Sequence, residues 1–185
     1  MIRQLLVTIG FSVVVLGTAA WLVLSADDRA YATGVRAYEA GHVQWALGIW
    51  RPLAEAGHGP ALFRLARCHE TGQGVAPDAG AARRFYRAAA GTGNGAAQLS
   101  LGRLLARHAT DREARAAALK WLILAERQGA PGAAPVRATV AATLPAAEVQ
   151  LAILRAERCE LSGYSLCADQ PAGGAVLRYA STRMP

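Results

Sequence analysis

Along the middle of the chain, small and large apolar residues recur in sets that repeat every 36 residues. Ala46, Ala82 and Ala118 keep that spacing, as do Ile49, Phe85 and Trp121, and Leu53, Ala89 and Ala125. Each set reads Ala, an aromatic residue or Ile at i+3, a large residue at i+4, and Leu or Ala at i+7. This places all four on one face of a helix. Gly57, Gly93 and Gly129 follow at the same period, where a glycine takes the left-handed cap conformation without penalty. A second helix precedes the set, because Ala61, Leu65, Cys68 and His69 match Ala97, Leu101, Leu104 and Leu105 at the same offset. The pattern predicts helix pairs, each closed by glycine.

The links between paired helices differ. In the second unit the link is Gly72-Gln73-Gly74-Val75-Ala76-Pro77-Asp78. Two glycines and a proline do not continue a helix, and Asp78 suits the N-cap of the next one. The first unit has a shorter link at Gly41-His42, and the third replaces the glycines with Arg107 to Asp111. Irregular terminal units are expected, since each faces a different neighbour or solvent. Gly91-Thr92-Gly93-Asn94-Gly95 lacks the Gly-Lys-Ser/Thr ending of a phosphate loop and reads as a turn between repeats.

The run Ala61-x3-Leu65-x3-His69-x2-Gly72-x-Gly74-Val75-x2-Asp78-x3-Ala82-x2-Phe85-Tyr86-x2-Ala89-Ala90-x2-Gly93-x2-Ala96 resembles a Sel-one-like repeat, a relative of the tetratricopeptide repeat. The resemblance covers roughly residues 30 to 134 and is closest in the second unit. The third unit keeps Leu101-Gly102, Trp121, Ala125 and Gly129 but loses the Gly-x-Gly-Val loop; the first keeps Tyr38, Gly41, Ala46, Trp50 and Gly57 and reads equally as tetratricopeptide-like. It implies an all-α solenoid of about three helix pairs and a role as an adaptor for other proteins. Trp50, Phe85 and Trp121 are then core aromatics rather than ligands.

Two further helical stretches follow Gly129. Val136 to Leu144 leads into Pro145-Ala146-Ala147-Glu148, with Pro suited to a first turn and Glu to the positive helix end. Val149 to Glu160 carries Leu151, Leu154 and Cys159 on an apolar face. These are expected to form a capping pair that closes the solenoid. The tail from Pro171 to Pro185 has Gly173-Gly174 and no sustained period, so it is expected to be extended or mobile.

Leu5 to Ala26 carries no charge, with Arg3 before it and Asp27-Asp28 after. Its 22 residues cover roughly 33 Å as a helix, the thickness of a bilayer core. The expected reading is an uncleaved transmembrane helix; the alternative is a signal cut near Thr18-Ala19-Ala20 or Val23-Leu24-Ser25. Arg3 on the short side favours a cytoplasmic N-terminus and an exported body. No Cys stands near the end of the run to take a lipid. Gly10, Gly17 and Ala20 are small enough to let the helix approach another closely. The expected organisation is an anchor over 1–26, a helical repeat domain over 27–160 and a tail over 161–185.

Composition narrows the class without changing this picture. The 185 residues are 53% hydrophobic, 6% aromatic and 18% charged. The low charge excludes a disordered acidic chain, and the scarcity of Val, Ile and Thr runs beyond the N-terminus argues against an all-β fold. No motif supports catalysis, so the chain is read as a non-enzyme without cofactor. His42, His58, His69 and His108 form no i, i+4 pair and no Cys-x2-Cys exists, so no metal site is expected. Cys68 takes the place of Leu104 and reads as a small buried hydrophobe. Cys159 and Cys167 lie eight apart around Ser162-Gly163. A disulfide is the favoured outcome in an oxidising compartment, with two free thiols as the alternative; secreted members of the resembled family bridge helices at a similar spacing.

Net charge is +7, or +6 without Arg3. In helix-pair solenoids the first helix of each unit lines the concave surface, where Arg64, Arg67, Arg103 and Arg107 would form a basic stripe. That stripe reads as a groove for an acidic peptide, protein face or anionic polysaccharide, or as an ordinary solvated face. Export argues against nucleic acid; anionic headgroups near the anchor are another candidate. The expected function is a single-pass scaffold of a bacterial inner membrane, its repeats in the periplasm, that binds or regulates a membrane or envelope complex. The alternative is an accessory subunit of an energy-transducing or transport complex held mainly by its membrane helix. A cell-wall enzyme or glycan binder ranks behind both.

Overall fold

The computed structural model describes residues 26–165 and 167. Every regular element among them is an α-helix: α1 over 26–39, α2 Val43–Glu55, α3 Gly59–Thr71, α4 Ala79–Ala90, α5 Gly95–Arg107, α6 Arg112–Arg127, α7 Ala133–Ala141 and α8 Ala146–Leu161. The chain divides into two compact units within α2, between Ile49 and Trp50. In the first, Gly41 (φ +85°) ends α1, and the His42 N–H donates back to the Ala37 carbonyl at 2.9 Å. Among its described residues, Ala37, Ala46 and Leu47 are the buried apolar ones.

In the second unit, α3 packs on α4, α4 on α5 and α5 on α6, while α7 and α8 both pack on α6. The repeat read from the sequence recurs here as geometry. Helices α3 and α5 have 13 residues each and start 36 positions apart. Their N-caps are equivalent in place and role: His58 Nδ1 accepts the Ala61 N–H at 3.3 Å, and Asn94 Oδ1 accepts the Ala97 N–H at 2.9 Å. Gly57, Gly93 and Gly129 have φ of +84°, +82° and +69°, the left-handed conformation that stops a helix.

The second links depart from strict periodicity, and the structure shows where the difference goes. Gly72 caps α3 at φ +74° and Asp78 caps α4, its carboxylate accepting the Ala81 N–H at 2.9 Å. Asp111 does the same for α6 through the Ala114 N–H at 2.8 Å. The glycine loop is missing from this third link, and α6 runs to 16 residues against 12 for α4. Most of the extra length lies at the front of α6, which starts three residues early against the 36-residue period, and Ala82 and Ala118 keep their register, both buried.

Three expectations need correction. Trp50 and Trp121 are fully buried, but Phe85 is half-buried and stacks on His69, ring centroids 5.4 Å apart. The deep position goes to Tyr86, one period after Trp50 and one before Leu122, all three buried. Helix α7 begins at Ala133 rather than Val136, because Gly132 (φ +78°) starts it. Helix α8 presents Ala152, Ala156 and Cys159 to the interior and leaves Leu151 and Leu154 exposed. Small side chains at i, i+4 and i+7 let α8 approach α6 closely. That face is held further by Arg127 of α6, which bonds Glu160 at 2.6 Å and Glu157 at 3.4 Å.

Beyond α8 the chain turns at Gly163 and at Tyr164, which sits at φ +68°. The Tyr164 hydroxyl accepts from Gln128 Nε2 at 2.8 Å, and its ring lies 3.0 Å from where a Cβ on Gly93 would stand. Cys167 is joined to Cys159 by a disulfide, both residues buried. The final turn is thereby tied to two inter-repeat turns and to α8. Residues 1–25, with Gly10, Gly17 and Ala20, lie outside the described residues, as does the tail apart from 161–165 and 167. Among the described residues no helix is long and apolar enough to cross a membrane.

Candidate functional site

The second unit carries an open groove of about 480 Å³ lined by Glu70 of α3, Ser100, Arg103, Ala106 and Arg107 of α5, and Val136 of α7. Its walls come from alternate helices. Apolar periodicity turns Leu101 and Leu104 inward on α5. That leaves Arg103 and Arg107, four apart, on the opposite side of the helix.

A short polar network shapes the floor. The Tyr86 hydroxyl donates to Glu70 Oε2 at 2.6 Å, and Arg107 Nη2 donates to Glu70 Oε1 at 3.2 Å. Burial, and the charged Glu70 carboxylate that accepts its hydrogen bond, hold the Tyr86 phenol well above its ordinary range. Glu70 therefore anchors a buried phenol with one oxygen and a solvated guanidinium with the other. Arg103 has no ion-pair partner among the described residues.

Of the four arginines expected to form a stripe, two meet in the groove. Arg64 is half-buried with its guanidinium 5.8 Å from the centre of the Trp50 ring, a cation–π placement. Arg67 is exposed on α3 and does not line the groove. Glu70, Ser100 and Val136 escaped the sequence reading. The usable signal was Tyr86 itself, since a phenol in a core position requires a hydrogen-bond partner.

Cys68 is buried, and burial pushes its thiol above the ordinary value, more than the neighbouring Arg67 and Arg64 pull it down. A thiol so placed is a poor nucleophile. His69 beside it is held below its ordinary value, first by burial, and its Nδ1 has no hydrogen-bond partner. Among the described residues no group of three His, Cys, Asp or Glu side chains is placed to hold a metal ion. Neither a family model nor a curated protein matches the chain.

Proposed function

We propose that the protein is a Sel-one-like repeat scaffold that receives an acidic segment of a membrane or envelope protein complex in the α3–α5–α7 groove. The observation that carries this reading is the pair Arg103 and Arg107, set on α5 in a groove whose other walls are Glu70 and Val136. Recurrent caps and equal lengths of α3 and α5 support stacked repeat units, and such stacks present extended binding surfaces with few loops for catalytic groups. In this reading α1 with α2, α3 with α4, and α5 with α6 are the three pairs, and α7 with α8 closes the solenoid. Residues 1–26 form the anchor, with the N-terminus in the cytoplasm and the repeats in the periplasm. The buried Cys68 thiol favours binding over nucleophilic chemistry.

The test is recovery of a C-terminally tagged full chain from native membranes in mild detergent, with identification of what co-purifies in near-equal amount. The Arg103→Glu/Arg107→Glu variant is expected to lose that partner while remaining folded, because both side chains are exposed. Loss on Gly10→Leu/Gly17→Leu, with the arginine variant unaffected, would instead assign binding to the membrane helix and an accessory-subunit role.

A further inference from the structure

We infer that the outward face of α8 docks on an anionic lipid surface. Leu151, Leu154 and Leu161 are 44%, 55% and 89% exposed, the large exposed hydrophobics among the described residues of the second unit. With Arg158 they follow one side of the helix at steps of three and four residues, and Arg155 flanks them. Both arginines are exposed and have no ion-pair partner among the described residues. Of the acids of the same helix, Glu157 and Glu160 are both taken by Arg127, and Glu148 stands in the first turn, two turns before Arg155 and too far to pair with it. The free face of α8 is therefore leucine with, over its C-terminal half, unpaired positive charge.

Area and charge decide the occupant. A second copy of α8 would bury too little apolar surface, since three leucines fall far short of the roughly 800 Å² per partner of a stable interface. The chain's own tail brings Arg178 and Arg183 against the single Asp169, the wrong sign. A bilayer rich in anionic headgroups matches both components: leucines enter the acyl boundary while the arginine stems lie along it and their heads reach phosphate. The inference rests on the anchored reading above for one thing only, the nearness of a bilayer.

The test uses the full chain with an environment-sensitive fluorophore on Ala147→Cys, an exposed position on the same side of α8; the buried Cys68 stays unlabelled. The chain is mixed with vesicles of phosphatidylglycerol or of phosphatidylcholine, some carrying a lipid-borne quencher. Docking predicts a blue-shifted, quenchable probe with phosphatidylglycerol only. Each arginine near an anionic surface contributes about 1 kcal/mol, so Arg155→Gln/Arg158→Gln should weaken docking by about 30-fold, and Leu151→Ser/Leu154→Ser should weaken it as well. Equal emission with both lipids, or no response to the arginine change, overturns the inference. So does a concentration-dependent shift in lipid-free detergent, which would assign the face to a second copy. Flotation of the chain with phosphatidylcholine vesicles reports the anchor separately, so failure of the anchor is not mistaken for failure of α8.

Discussion

His69 stands one period before Leu105, on a face whose other members are apolar. The ring stacks on Phe85, but Nδ1 has no hydrogen-bond partner and burial lowers the pKa from its ordinary 6.5. With the folded pKa lowered, the unfolded chain holds more protons as pH falls through the ordinary imidazole range, and stability falls with it. His69→Leu should therefore raise stability by about 1 kcal/mol, the order of one orphaned buried polar atom, and should flatten the loss below pH 6.5. Thermal unfolding of both proteins from neutral to mildly acidic pH checks this. Parallel curves would show that the imidazole is not the titrating group. The caps give a second contrast at this scale. Asn94→Ala should cost about 1 kcal/mol at any pH. Asp78→Ala should also destabilise, but differently. The N–H groups of Ala81 and Gly80 lower its carboxyl pKa, so its advantage holds above the ordinary carboxylate range and fades as acid titrates the folded form. Urea midpoints at neutral and acidic pH separate the two.

At the scale of the element, Gly102 decides how α5 meets α6. A Cβ there would stand 2.7 and 2.8 Å from Leu122 Cγ and Cδ2, and 3.3 Å from the Ala118 carbonyl oxygen. Alanine would gain about 1 kcal/mol of helix propensity, yet Leu122 is fully buried and has nowhere to go. Gly102→Ala is expected to destabilise by about 1–2 kcal/mol net. In a double-mutant cycle its cost should shrink when Leu122 is also shortened to Ala; strict additivity would show that the two do not meet. The same element shows what was legible in the sequence. Glycine ends and Asp caps carry their own conformational chemistry, so the turns at Gly57, Gly93 and Gly129 and the start of α4 at Asp78 could be read one residue at a time. The phase of α8 could not. Leucine outweighs alanine in a hydropathy pattern, but close helix approach selects the Ala152, Ala156 and Cys159 face, and that choice depends on α6. The groove was half-legible for the same reason: Arg103 and Arg107 follow from periodicity on α5, whereas Glu70 reaches Arg107 from another helix, 37 residues away.

Across the whole second unit, burial is unevenly spread, and local stability should follow it. Nine residues of α6 are buried, while α7 buries Ala133 alone. Helix α7 is held to the rest by Val136 and Val140 against the cluster of Leu99, Leu122 and Ala125, and by the Arg137–Glu126 ion pair. A half-exposed pair of that kind adds at most about 1 kcal/mol. Helix α8 has more to hold it: three buried residues, the Arg127 bridges, and the disulfide from Cys159 to Cys167. In stacked-helix folds each element opens against its neighbours only, so opening energies should rise from α7 through α8 to α6. Native-state hydrogen exchange is expected to show α7 amides exchanging first and α6 amides last. Reduction of the disulfide releases a short loop worth about 2–3 kcal/mol. That loop ties Tyr164 over Gly93 and to Gln128, so reduction should speed exchange in the last turn of α8 and in those two inter-repeat turns. It should leave the middle of α3 unchanged, because α3 packs on α4 rather than on α8. A uniform acceleration would mean that the unit opens as a single block and that the disulfide acts on the whole of it.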